Sequence, residues 1–325
     1  MTSRIAVVGS LNMDLVVRSP HLPRRGETVP GGTFATYPGG KVANQAVAAA
    51  RLGAAVAMVG TVGDDAFGRD LRADLQAEGI DVTHVTTGDR VASGVALITV
   101  DAAGDNTIVV ASGANLLLRR DDVDAAAEAI AAADVVLVQL EIPLDAVAYA
   151  VQMARRHGRR VVPDPAPAPP EGLPAELYRE VTVINPNEGE AAVLTGVPVV
   201  DEQSAEIAAA HLLGSGCAAV VIKRGGHGAY VATGAMRRMI PGRRVEVVDT
   251  TAAGDAFAAA LAVGLAEGRD LVDAAEFANA VGALSVTRAG AQPSMPRRGE
   301  VEAFMGSGAA PGRPGLRASD RPSVL

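Results

Sequence analysis

The sequence predicts an α/β fold: a mostly parallel central sheet with helices on both faces and a small additional β layer. Three observations carry that expectation. Apolar runs of strand length alternate with longer segments of helical periodicity, the pattern of a parallel sheet built from crossover units. The 325 residues are 49% hydrophobic, enough to bury a large core. Aromatics make up 3% and tryptophan is absent, while alanine is abundant, which suits helices packed closely on a sheet.

Taken in order, strands are expected at Ile5–Val8, Val56–Gly60, Val135–Leu140, Arg160–Pro163, Val181–Ile184 and Ala219–Ile222. Helical spacing covers Val42–Leu52, Phe67–Glu78, Val123–Ala132, Leu144–His157 and Glu188–Leu194. The last third adds helices at Ala205–Leu213, Ala256–Glu267 and Leu271–Thr287. Two regions of the first third break the alternation. Glu27–Tyr37 is Gly-rich and extended, and Gly94–Val100 with Thr107–Ala111 forms a hairpin turned at Ala103-Gly104-Asp105-Asn106. Together they form a flap, from about residues 10–37 and 92–112, over the carboxyl edge of the sheet where ligands of α/β folds bind. From Gly306 to Leu325 the chain is turn-rich and aperiodic, so a disordered tail is expected to follow a domain spanning 1–305.

Composition excludes several functions. A net charge of −8 argues against a polyanion-binding surface, so no nucleic-acid partner is expected. The single Cys217 can make neither an internal disulfide nor a thiolate metal cluster, and its strand-like setting makes it core. Arg4–Gly9 is too short an apolar run for a signal peptide, and no stretch approaches a membrane span. A soluble, cytoplasmic protein with no membrane partner is the expectation.

The most telling segment is Asp249-Thr250-Thr251-Ala252-Ala253-Gly254-Asp255, which runs into the apolar stretch Ala256–Leu265. Small residues entering a helix expose backbone N–H groups at a partial positive charge, a place for a phosphate in flight. Asp255 adds an acceptor and so a possible general base. The alternative is a helix cap. Other clusters sit at strand ends. Asn12 and Asp14, spaced i, i+2, lie on one side of an extended segment and can bind neighbouring hydroxyls, or form an Asx turn. Gly39-Gly40-Lys41-Val42-Ala43-Asn44 fails as a P-loop, because Ala35 and Val42 stand where a Gly and a Ser or Thr are needed. It still places Lys41 and Asn44 at a helix start. Glu141 follows a strand and is either a ligand contact or a helix-terminal acid. Asn187 and Glu190 spell a capping box or the outer shell of a hydrated Mg²⁺. Lys223-Arg224-Gly225-Gly226-His227-Gly228 turns a hairpin or lies against a ring or phosphates, and His227 has no metal-spaced partner.

The order and spelling of these clusters resemble the PfkB carbohydrate-kinase family, on its ribokinase branch, from about Ile5 to Phe304. Besides the segments above, the resemblance rests on Gly26-Glu27-Thr28-Val29, Gln139-Leu140-Glu141 and Gly290-Ala291-Gln292-Pro293-Ser294. It implies a ribokinase-like three-layer α/β/α sandwich with a small β-sheet lid, and ATP-dependent phosphorylation of ribose at its 5-hydroxyl. By resemblance, Asn12, Met13, Asp14, Gly40, Lys41, Asn44 and Glu141 hold the sugar. Asp255 matches the catalytic base, and Ala252, Ala253 and Gly254 the anion hole. Asn187 and Glu190 match the motif tied to Mg²⁺ and phosphate, while Lys223, Gly225, Gly226, His227, Gly228 and Asn279 match nucleotide contacts. Asp249, Thr251, Ser285, Arg288, Gly290 and Ser294 match a K⁺ site, mostly through backbone carbonyls. Pairing of lids would make a homodimer.

Two positions depart from the branch. Val42 stands where Gly is usual and would crowd the sugar, and Lys223 stands where a hydroxyl residue is common. A sister kinase for deoxyribose, another sugar or a nucleoside is the alternative within this chemistry. A non-catalytic sugar- or nucleotide-binding protein is the alternative outside it. A dinucleotide-binding enzyme is excluded, because no G-x-G-x-x-G follows the first strand.

Overall fold

The first strand sets the layering. In β1 (Arg4–Val8), Ile5 and Val7 join one buried cluster while Ala6 and Val8 join the other, the two-residue period of a strand covered on both faces. The structure, a computed structural model, describes residues 2–306. The chain continues through β2 (Asn12–Arg18), β3 (Phe34–Gly39), α1 (Lys41–Arg51), β4 (Ala55–Gly63), α2 (Ala66–Ala77) and β5 (Asp81–Gly88). Next come β6 (Gly94–Val100), β7 (Asn106–Ala111), α3 (Arg120–Ala125), α4 (Ala127–Ala132), β8 (Val135–Gln139), α5 (Leu144–Arg156) and β9 (Arg160–Asp164). After α6 (Ala175–Glu180), α7 (Glu188–Thr195) and α8 (Glu202–Gly214) follow β10 (Ala219–Lys223), β11 (Gly228–Thr233) and β12 (Arg237–Pro241). The helices α9 (Ala253–Ala266), α10 (Leu271–Ser285) and α11 (Arg298–Gly306) complete it. Gly306 thus ends a helix, and the rest of the expected tail lies outside the described residues.

Five parallel strands in the order β5-β4-β1-β8-β9 form the centre, and β10-β11-β12 form an antiparallel sheet of three. The segment 182–187 lies between them: Thr182 N–H donates to Val161 O and Asn185 N–H to Pro163 O, while Val221 N–H donates to Ile184 O. The strand expected at Val181–Ile184 does not form; the segment pairs only locally. Pro186 lacks an N–H, and only isolated bridges to Val220 and Lys223 form there. One face is covered by α1, α2, α9 and α10, the other by α3 to α8. Alanine makes the first layer tight: Val42 to Ala49 of α1 and Asp255 to Leu265 of α9 are continuously buried.

Several elements escaped the sequence, α11 among them. β5 reads Asp-Val-Thr-His-Val-Thr-Thr-Gly; only Val82, Val85 and Gly88 are buried, and its pairing with β4 carries a register shift. β12 carries two arginines, and α6 is only a turn and a half long. The helix expected over Val123–Ala132 is broken at Ala126, whose ψ of 7° ends α3 before α4 begins. No helix among the described residues is long and apolar enough to cross a membrane.

The lid is a separate four-stranded sheet in the order β3-β2-β6-β7. Its base row is Gly39–Asn12–Gly94, paired in register across three strands. A Cβ at Gly94 would stand 2.0 Å from Asn12 Oδ1, and one at Gly39 would stand 2.4 Å from Asp14 Oδ2, so only glycine lets these polar side chains lie across the row. β7 is exposed along its length, and Phe34, Leu97, Ile108 and Val109 give the lid an apolar outer surface.

Candidate active site

The link between β1 and β2 and the start of α1 are pressed together. Gly40, with φ of 89°, caps α1, and a Cβ there would stand 2.6 Å from Asn12 N. Ala43 N–H donates to Ser10 O across the same contact. Asn12, Asp14, Lys41 and Asn44 are thereby gathered at one place. Asn115, which follows the lid, fixes Asn12 by donating from Nδ2 to Asn12 Oδ1 at 2.7 Å. Glu141, beyond β8, accepts from Ser10 Oγ at 2.6 Å. Met13 is buried with the core.

Electrostatics bind this group together. Burial pushes the Asp14 carboxyl up to about 7, and the nearby Glu141 and Asp255 charges push the same way, against Lys41. For Lys41 burial opposes the charge, but Asp255, Glu141, Asp164 and Glu190 outweigh it and hold the ammonium above its ordinary value. A cation permanently present among carboxylates is suited to gripping hydroxyl and phosphoryl oxygens.

Asp255 is 6% exposed at the first turn of α9, and it does not cap that helix. Its Oδ2 accepts from Asn44 Nδ2 at 3.0 Å and its Oδ1 from Gln45 Nε2 at 3.2 Å, so α1 holds the carboxylate. The helix instead begins at Ala252, in left-handed backbone at φ 57°, with no side-chain cap. In the first turn, the N–H groups of Gly254 and Asp255 have no helical acceptor. Burial raises the Asp255 carboxyl to about 6, Lys41 opposing and Asp164 reinforcing the shift. Such a group is ionised at neutral pH yet a better base than a free carboxylate.

Sequence reasoning missed two members of the centre. Asp164, 2% exposed at the end of β9, pairs with Lys223 Nζ at 2.5 Å. Gln45, wholly buried, donates to Asp164 Oδ2 at 2.8 Å as well as to Asp255. An acid at a strand end ahead of a Pro-rich loop was the available signal for Asp164. For Gln45 it was the Ala43-Asn44-Gln45-Ala46 segment, whose spelling is part of the resemblance though no role was given to Gln45.

A cavity of about 910 Å³ runs from this centre outward. Lys41, Asp164, Lys223 and Asp255 line its inner end, with Ala252, Ala253 and Gly254 beside them. Asn187, Glu190, Gly225, Gly226, Gly228 and Asn279 line the rest, joined by the unanticipated Arg243 and Arg244. Asn279 also donates to Pro241 O at 2.7 Å, fixing the wall between α10 and β12. His227 does not line the cavity; its backbone accepts from Gly242 N–H and closes the glycine turn. The sugar set of Asn12, Asp14, Asn44 and Glu141 lies outside the cavity lining, next to Lys41 and Asp255. Val42 is also absent from it. Fully buried, Val42 packs its Cγ2 where a Cβ of Gly9 would be, so it fills the core rather than crowding a sugar.

Asn187 and Glu190 form a reciprocal capping box, Asn187 Oδ1 accepting from Glu190 N–H and Glu190 Oε2 from Asn187 N–H, both at 2.8 Å. One Glu190 oxygen remains, and burial raises this carboxyl. Among the described residues no three His, Cys, Asp or Glu side chains form a metal cage. That donor set fits a hydrated Mg²⁺, which takes few protein ligands. At the other loop, Asp249 Oδ1 accepts from Thr251 N–H and Oγ, and its Oδ2 from Gly290 N–H at 2.8 Å. Ser285 Oγ donates to Gly282 O and Ser294 Oγ to Ala291 O, while the Arg288 guanidinium pairs with Glu300. Side-chain oxygens here are already engaged, so the residues fit a cation only through backbone carbonyls.

Comparison with known proteins agrees with this geometry. The profile of the pfkB family of carbohydrate kinases matches residues 2–298. The ribokinase of Haemophilus influenzae is 42% identical over 305 residues, covering 94% of this chain and 99% of its own. That of Bacillus subtilis is 43% identical over 306 residues, 93% of this chain and 99% of its own. The structure of Arabidopsis thaliana ribokinase complexed with ribose and ATP is similar at a TM-score of 0.84 and 32% identity, covering 94% of this chain and 99% of that one.

Proposed function

The chain belongs to the pfkB family of carbohydrate kinases, and from that membership we propose how its residues phosphorylate D-ribose. It is an ATP-dependent kinase acting on a sugar hydroxyl, and ribose is the sugar its relatives name. One observation carries the mechanism: the buried Asp255 carboxylate is held by Asn44 and Gln45 between the sugar residues and the anion-binding turn.

Asn12, Asp14, Lys41, Asn44 and Glu141 hold the ribose hydroxyls, and Asn44 Oδ1, buried without a partner in the chain, accepts one of them. The 5-hydroxyl faces Asp255. ATP lies in the cavity along Gly225, Gly226, Gly228 and Asn279, its γ-phosphoryl against Gly254. Asp255 takes the hydroxyl proton as the bond to phosphorus forms, and the N–H groups of the α9 start hold the charge that develops. Lys41 stabilises the transferring group from the sugar side. Asn187 and Glu190 would hold a hydrated Mg²⁺, which would supply charge neutralisation for the ATP phosphates. Carbonyls of the 249–251 and 285–294 loops would hold K⁺, which would supply positive charge beside the turn that precedes the anion hole.

Residues 1–305 act as one kinase domain whose lid excludes water from the reaction. The apolar outer face of the lid suits a homodimer through paired lids. A cytoplasmic location is proposed, in keeping with the absence of a signal-like or membrane-spanning run in the sequence. Coupled measurement of ADP release with ribose, deoxyribose, fructose and adenosine tests the specificity. Ribose should give the highest kcat/KM, and preference for deoxyribose would overturn the assignment of the sugar.

A further inference from the structure

A chain of buried polar contacts leads away from the reacting hydroxyl. Asp255 Oδ1, Gln45 Nε2, Asp164 and Lys223 Nζ are joined at 3.2, 2.8 and 2.5 Å, and each residue is less than a tenth exposed. Gln45 has one NH₂ group with two hydrogens, and each is committed to a different carboxylate. Turning the amide over would place its carbonyl against both anions, so its orientation is set. Its Oε1 is buried with no partner, so the residue is held by these two donations alone. The far end of the chain is at the phosphate site: Lys223 Nζ lies 3.6 Å from where a Cβ of Gly254 would be. Lys223 therefore lies within reach of both Asp164 and a phosphoryl group on the anion-binding turn.

We propose that Gln45 is a positioning residue that ties the orientation of the base Asp255 to the Asp164–Lys223 pair, so that ATP phosphates meeting Lys223 act on the base from the side opposite the sugar. The proposal rests on Asp255 being the base. When phosphate draws the ammonium away from Asp164, that carboxylate takes a stronger hold on the Gln45 amide, and the amide moves with respect to Asp255. Other charged groups near Asp255 are Lys41 on α1, Asp14 in the lid and Glu190 on α7. None of them is connected to it through Gln45. Asn44 holds the second oxygen of Asp255, a pivot about which the carboxylate turns as the amide adjusts.

The test compares Gln45→Met, Lys223→Met, the double variant and Asp255→Asn. Gln45→Met preserves length and apolar volume but removes both donors. It should lower kcat by about tenfold to a hundredfold, the scale of a misplaced catalytic group. Ribose affinity by calorimetry should stay within about threefold, since the sugar residues are intact. The acid limb of the kcat–pH profile should move to higher pH, because a lost donor disfavours the charged carboxylate. Lys223→Met should cost at least about tenfold in the parent and under about threefold in the Gln45→Met background. Multiplying losses, an unmoved acid limb, or parental kcat in Gln45→Met would each overturn the coupling. If Lys223→Met does not fold by thermal melting, the pH profile of Gln45→Met alone decides. Asp255→Asn separates the two levels: turnover in that variant sinks the base itself, whereas a dead Asp255→Asn beside a normal Gln45→Met sinks only the coupling.

Discussion

Asn44 Nδ2 reaches Asp255 Oδ2 across 3.0 Å, from the first turns of α1 to the first turn of α9. The two helices are brought this close by their alanines, so the packing of one layer also fixes the geometry of the proposed base. A carboxylate at a helix start ordinarily serves its own helix. Here it serves a neighbour, and the first-turn N–H groups are left to a ligand.

Replacing Asp255 with Asn should lower kcat by about 10³-fold, within the range general-base catalysis supplies. The amide keeps the size of the side chain, so ribose affinity by calorimetry should change by less than about threefold. Turnover close to the parent's would remove Asp255 from the role of base.

With the Asp255 carboxyl raised by burial to about 6, activity should follow its ionised form. The sign is direct: kcat is level above neutrality and falls tenfold per pH unit well below 6. A profile that stays flat down to pH 4.5 would contradict it.

Asp14 gives the same physics a stability readout. Its folded carboxyl titrates near 7, well above its ordinary value, so the folded chain binds a proton that the unfolded chain has released between about pH 4 and 7. This group therefore destabilises the fold increasingly through that window, and fully above it. Asp14→Asn should raise Tm by roughly 2 °C or more at pH 8 and by nothing at pH 4, while weakening ribose binding. Equal shifts at both pH values would refute the linkage.

Val42→Gly restores the residue usual in the ribokinase branch. Because Val42 packs on Gly9 in the core, the change should destabilise by about 2–3 kcal/mol in urea unfolding and leave the KM for ribose within about twofold. A large drop in KM without loss of stability would show that Val42 faces the sugar after all.

Asp249 joins two loops through Thr251 and Gly290. If these loops hold a monovalent cation, exchange of Na⁺ for K⁺ should raise kcat severalfold in the parent and have no effect in Asp249→Ala. Indifference of the parent to the exchange would count against the cation site.

Much of this was legible from sequence for a local reason. The strands and helices of the central layers announce themselves by period, and the glycine turns by composition. Gly39-Gly40-Lys41 and Ala252-Ala253-Gly254-Asp255 each carry their chemistry within a few adjacent residues. What escaped was carried by distance or by exposure. Gln45 and Asp164 acquire meaning only when β9 and α1 meet, and nothing near either of them records the contact. β5 was missed because it is an edge strand with only two apolar residues, Val82 and Val85, and no regular period. Val181–Ile184 erred the other way, an apolar run whose pairing is cut short by Pro186. The Asp255 ambiguity was real in sequence, since a cap and a base are spelled alike until the partner of the carboxylate is seen.

The base row of the lid, Gly39–Asn12–Gly94, has a consequence for how such a protein can diversify. The residues that root the lid are also those that lay Asn12 and Asp14 across the proposed sugar site, with no spare atom between backbone and side chain. A substitution made there to accept a different sugar alters the hinge at the same stroke. Changes of preference would have more freedom at Glu141, proposed to reach the sugar from beyond β8, an element outside the lid. An engineer seeking a new substrate would vary that position and leave Asn44 and the glycines untouched.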